Sequence, residues 1–107
     1  MENKDAVVAL AALAQESRLA VFRLLVQTGP DGLAASKIAQ ALGMPASSLS
    51  FHLKELAHAN LIVARQEGRF IIYAAQFDTM NTLLGFLTEN CCGGISCSPA
   101  AKSACGA

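Results

Sequence analysis

All four cysteines of this 107-residue chain lie in its last stretch, and residues 1–90 contain none. Cys91, Cys92 and Cys97 fall within seven residues, in the run Asn90-Cys91-Cys92-Gly93-Gly94-Ile95-Ser96-Cys97, and Cys105 follows. Thiolates are soft ligands, so the chemistry such a cluster suits is capture of a soft metal or metalloid. Zinc takes four ligands in a tetrahedron, commonly at C-x2-4-C spacing, and an adjacent pair such as Cys91-Cys92 strains that geometry. Trivalent arsenic or antimony asks for less: three thiolates in a shallow pyramid, with a lone pair on the open side. Gly93-Gly94 lets the chain reverse so that Cys97 returns to the pair. The expected ligand set is therefore Cys91, Cys92 and Cys97 around As(III), with Sb(III) as a second candidate and Cys105 as a spare thiol.

Two other uses of the thiols compete with this one. A redox sensor needs a stabilised thiolate. Here the pair follows a helix C-terminus, the negative end of the helix dipole, with Glu89 beside it and no Arg or Lys between Arg69 and Lys102. That field favours the protonated thiol, from which a soft metalloid can still displace the proton. A redox-sensing reading stays as the alternative, as does a sensor of singly methylated As(III), which needs only the vicinal Cys91–Cys92 pair. Enzyme chemistry is not expected. There is no C-x-x-C at a helix N-terminus, no Gly-rich phosphate loop and no clustered acid/base set.

The elements that must hold this cluster belong to a small chain. Its length allows one domain with a modest core, for which dimerisation is a natural source of stability. Hydrophobic residues make up 53% and charged residues 15%, a balance that suits a close-packed helical protein and not a disordered one. No apolar run reaches the roughly 18–20 residues of a membrane span, so no membrane partner is expected. The segment at 6–14, "AVVALAALA", imitates a signal-peptide core, but Glu2 and Asp5 outnumber Lys4 before it. A cytoplasmic protein is expected, with its thiols reduced. Acidic and basic residues balance overall, yet residues 34–70 carry four basic side chains (Lys37, Lys54, Arg65, Arg69) against two acidic ones (Glu55, Glu67). The middle of the chain is thus its positive part.

Periodicity and breakers predict five helices and a hairpin. The first helix spans 6–15, with Val7, Leu10 and Leu13 or Ala14 on one side. The second spans 18–27 behind Ser17 as N-cap and ends at Thr28-Gly29-Pro30. The third spans 34–42 and stops at Gly43. The fourth runs from Pro45, in its first turn, to about Ala59, and Asn60 closes it. Strands at 61–66 and 69–75 flank Glu67-Gly68, a hairpin signal. The last helix runs from Phe77 or Asp78 to about Asn90, with Met80, Leu83, Leu84 and Leu87 as its apolar stripe. The chain divides into a domain at 1–90 and a cysteine-bearing, flexible tail at 91–107. The fold class is mainly α with a small β-hairpin, in the order α-α-α-α-β-β-α. Two helices joined by Gly43-Met44 and followed by a hairpin make a winged helix-turn-helix.

On the fourth helix Leu49, Leu53 and Leu56 share the core face, while Ser47, Ser50, Phe51, Lys54 and His58 lie opposite. With Ser48 in the same first turn, this outer face has short hydroxyls, one aromatic and one cation. It suits close approach to a DNA groove. His52 falls beside the leucine stripe and is expected to be a hydrogen-bonded, partly buried structural histidine. Arg65 and Arg69, near the hairpin tip, can reach phosphate or the minor groove.

The stretch "ALGMPASSLSFHLKELAHANLIVARQEGRFIIYA" resembles the core of the ArsR family of metalloregulatory repressors. The pattern is Leu-Gly, then Ser-x-Leu-Ser-x-His-Leu-Lys-x-Leu, then Asn-Leu-Ile and Arg-x-Glu-Gly-Arg-x-x-x-Tyr. The likeness covers residues 5–90 or so. It implies a homodimer formed through the first and last helices, which binds double-stranded operator DNA and leaves it when an inducer binds. It also places Ser47, Ser50 and Phe51 at DNA-reading positions. The chain departs from the family's common inducer sites. The Cys-x-Cys of many arsenic sensors is replaced by Ala34, Ala35 and Ser36 near the third helix. The last helix has Asp78 and Glu89 but no histidine for zinc. Some arsenic-sensing members carry a C-terminal cysteine triad, which is what the tail here offers.

Overall fold

A computed structural model describes residues 1–94. The elements are α1 (Asn3–Leu13), α2 (Glu16–Thr28), β1 (Leu33–Ala34), α3 (Ala35–Leu42), α4 (Ala46–His58), β2 (Ile62–Glu67), β3 (Phe70–Ala75) and α5 (Phe77–Leu87), followed by a tight turn at Cys91–Gly94. This is the mainly helical winged helix-turn-helix expected, with one strand more than the sequence pattern predicts. β1 is only two residues long and pairs antiparallel with β3, Leu33 opposite Tyr73 and Ala34 opposite Ile72, giving a sheet in the order β1-β3-β2. The wing itself pairs β2 with β3 from Ile62–Ala75 out to Glu67–Phe70. Among the described residues no helix is long and apolar enough to cross a membrane.

The core is aliphatic. Val21, Leu25, Ile38, Leu49, Leu56 and Leu61 are shut off from solvent, with Phe22, Leu53, Ile62 and Leu83 close behind. The α3–α4 turn works because Gly43 takes a left-handed conformation, φ 61°, and caps α3, while the Met44 amide donates to the Ala39 carbonyl at 3.0 Å. Gly32 is the other obligatory glycine. Its φ is 71°, and a Cβ there would clash with the Tyr73 carbonyl oxygen and stand 2.9 Å from Ile72 Cγ2. Only glycine lets the α2–β1 loop lie against β3.

Several expectations are corrected. α1 buries Ala6, Ala9 and Ala12, not the larger Val7 and Leu10, which are exposed. Alanines let α1 approach its neighbours closely and turn its branched side chains outward. Its start is earlier than expected because Glu2 and Asp5 form a capping box. α2 is capped by Gln15, whose side chain accepts from the Arg18 amide at 2.8 Å, and not by Ser17. Pro45 is the N-cap of α4 and not a residue of its first turn. α5 ends at Leu87, short of Asn90; of its predicted stripe Leu83 is buried and Met80 half-buried, while Leu84 and Leu87 are exposed.

Candidate nucleic-acid interface and cysteine turn

α4 is held by its leucines. Leu49, Leu53 and Leu56 fill the core, which fixes the opposite face toward solvent. Ser47, Ser48, Ser50, Phe51 and Lys54 are exposed there, as is His58 one turn on. Phe51 is 54% exposed, and its ring packs edge-on against His52, centroids 5.8 Å apart and 63° between planes. His52 is half-buried as expected, but its Nδ1 is buried with no hydrogen-bond partner among the described residues. The predicted hydrogen-bonded histidine is therefore corrected to one held by packing between Phe51 and the core. Pro45 offers no side-chain cap, so the first amides of α4 point outward beside Ser47 and Ser48. Amides and hydroxyls together make a neutral, donor-rich helix start that an anion can approach.

The two wing arginines differ. The Arg65 guanidinium donates to the Glu67 carboxylate, to the Pro30 carbonyl at 3.2 Å and to the Asp31 carbonyl. Two of its five N–H groups brace the wing against the α2–β1 loop, a third holds Glu67 within the wing, and two stay available. Arg69, in the hairpin turn, makes no hydrogen bond or ion pair among the described residues. The apolar wing tip escaped the sequence reading. Phe70, counted only as a strand residue, is exposed at its end, beside the Gly68 turn.

Cys91 and Cys92 follow α5 in a turn built from residues with positive φ: Asn90 at 60°, Cys92 at 54° and Gly93 at 69°. The Cys91 amide donates to the Thr88 carbonyl at 3.0 Å. Cys91 is half-buried, Cys92 is exposed and disulfide-bonded. Cys97 and Cys105 lie outside the described residues. Among the described residues no three His, Cys, Asp or Glu side chains cluster as metal ligands. The structure thus groups the α4 residues on one face, and sets Arg69 at the wing tip and the cysteine pair beyond α5.

The chain matches the helix-turn-helix domain family over residues 13–65, from the end of α1 through most of β2. It is 31% identical to the nodulation protein NolR of Rhizobium meliloti over 91 residues, 82% of this chain and 72% of that protein. In three dimensions it superposes on the ArsR-like transcriptional regulator from Rhodococcus sp. RHA1 with a TM-score of 0.72, at 26% identity over 80% of this chain and 78% of that one. It also superposes on the homodimeric winged helix-turn-helix DNA-binding domain of Mb0332 from Mycobacterium bovis, with a TM-score of 0.66 and 28% identity over 81% of each chain. By its helix-turn-helix, its wing and these likenesses the chain belongs to the ArsR family of DNA-binding winged helix-turn-helix transcriptional regulators.

Proposed function

We propose that this protein is a cytoplasmic, homodimeric repressor that leaves its operator when As(III), or Sb(III), binds Cys91, Cys92 and Cys97. The observation that carries the ligand assignment is the turn after α5. Positive φ at Asn90, Cys92 and Gly93 starts a chain reversal at the vicinal pair, the feature a third thiol six positions after the first needs in order to return. Once a thiol reductant has opened the Cys92 disulfide, binding itself involves no redox change: three S–H bonds break, three As–S bonds form, and the three hydroxides of arsenous acid leave as water with the thiol protons.

Residues 1–90 would be the DNA-binding and dimerising unit, and 91–107 the inducer-binding tail. The dimer is supported by the outward aliphatic faces of α1 and α5, where Val7 is 63% and Leu87 54% exposed, and by the homodimeric state of the Mb0332 domain. DNA would meet Ser47, Ser48, Ser50, Phe51 and Lys54 of α4 and Arg65 and Arg69 of the wing. α5 belongs to the dimer and ends at the cysteine turn, so a metalloid there biases the dimer geometry and with it the spacing of the two α4 helices. A coupling of about 1–3 kcal/mol, roughly 5–150-fold in operator affinity, is what such linkage typically provides.

The disulfide at Cys92 favours a second reading, release by thiol oxidation. Titrating the reduced protein on operator DNA with As(III), Sb(III), Zn(II), Cd(II) and, separately, peroxide tests both. Release by As(III) and Sb(III) alone supports the metalloid reading, and release by peroxide alone supports oxidation.

A further inference from the structure

Phe70 opens β3 at the tip of the wing with 61% of its surface exposed. Its position in the ladder shows that the core is not its destination. Phe70 pairs with Glu67, so it shares one face of the hairpin with Glu67 and Arg65. Ile71, on the other face, is also exposed. The tip is therefore apolar on both faces, a costly arrangement for a free loop.

The charges around it are sorted. Arg65 pairs with Glu67 and so cancels the carboxylate nearest Phe70. Arg69 directly precedes Phe70 and has no hydrogen bond or ion pair among the described residues, so the tip carries net positive charge. Arg65 also ties β2 to the Pro30 and Asp31 carbonyls, which holds the tip in place. A braced, cationic edge bearing an aromatic plate complements one surface above others: a DNA minor groove, with apolar deoxyribose walls and strong negative potential.

We propose that Phe70 is a minor-groove wedge. Resting on the operator-binding reading above, its ring enters the groove beside the half-site met by α4 and partly unstacks a flexible pyrimidine–purine step, with Arg69 lying along the groove. The wing then selects operator flanks by deformability, at positions where no base-edge hydrogen bond is made.

The test is selection from a randomised duplex library by the full-length protein and its Phe70→Ala and Phe70→Leu variants. The wild type should enrich half-sites flanked by TA or CA/TG steps. Phe70→Ala should enrich the same half-sites with flanks close to random, and Phe70→Leu should keep part of the flank preference. A 2-aminopurine placed at the enriched step should brighten several-fold on binding wild type and stay dark with Phe70→Ala. Half-sites selected without flanks by the wild type, or identical flanks selected by Phe70→Ala, overturn the wedge and leave operator binding standing. No sequence selected by any of the three overturns both. Loss of self-association in Phe70→Ala without DNA would make this face a protein contact and likewise overturn the wedge.

Discussion

The backbone amide of Gln76 donates to the carbonyl of Leu61 at 2.8 Å, and the amide of Leu61 in turn donates to the Leu56 carbonyl at 3.0 Å. Leu56 is in the last turns of α4, Leu61 starts the wing, and Gln76 is the single residue between β3 and α5. The DNA-facing helix, the wing and the helix that leads to the cysteines are thus joined through one fully buried leucine.

Gln76→Pro tests that junction. Gln76 is the N-cap of α5 with φ −88°, close to the value of about −65° that a proline ring imposes, so the backbone angle fits, but the ring Cδ replaces the N–H and crowds the Leu61 oxygen that lies 2.8 Å from the nitrogen. Orphaning and crowding the Leu61 carbonyl should lower stability by at least about 1–3 kcal/mol in urea denaturation. The ratio of operator affinities with and without As(III) should shrink as well. Unchanged stability would show that the bond contributes nothing, and an unchanged ratio that coupling runs elsewhere.

Ser50 and Phe51 are exposed while their helix is anchored by leucines on the other side. Ser50→Glu or Phe51→Glu should abolish specific operator binding, seen by fluorescence anisotropy, with the circular dichroism spectrum and thermal midpoint kept. Normal affinity in these variants would remove α4 from the reading role.

The wing arginines should separate. Arg69→Ala should weaken binding to all sequences and reduce the slope of log affinity against log salt by about one. Arg65→Ala should do the same and, unlike Arg69→Ala, also lower stability, because it releases the Pro30–Asp31 loop. Equal thermal midpoints for the two variants would contradict the bracing role.

Val7 and Leu84 face solvent on α1 and α5. The double variant Val7→Asp, Leu84→Asp should sediment as a folded monomer with weakened operator binding. A dimer of wild-type stability would place the interface on another face.

Much of this fold was legible in the sequence, for physical reasons particular to each element. α4 stood out because three leucines at helical spacing lie between the Gly43–Pro45 break and Asn60, which takes the positive φ of a helix stop. The wing was legible from two β-branched or aromatic runs around Glu67-Gly68. β1 was not, because two residues carry no period and their pairing partner is Tyr73–Ile72, about 40 positions on. The buried face of α1 was misread because size suggested Val7 and Leu10, whereas close helix packing favours the alanines. Arg65 looked like a free cation because its partners include backbone carbonyls of Pro30 and Asp31, which no side-chain pattern reveals. Of the candidate sites, the exposed α4 face followed from angle alone, and Phe70 was passed over because its run was read only as strand.

The most direct test of the three-thiolate claim is As(III)-driven operator release by reduced Cys97→Ser protein, compared with wild type and with singly methylated As(III) as a second ligand. Inorganic As(III) has three exchangeable positions and the methylated form two. Cys97→Ser should lose most of its response to inorganic As(III) and keep a response to the methylated form. Cys91→Ser and Cys92→Ser should lose both, and Cys105→Ser should change little. Operator release by Cys97→Ser at wild-type sensitivity to inorganic As(III) would contradict the site and leave the Cys91–Cys92 pair, alone or with Cys105, as the ligand set.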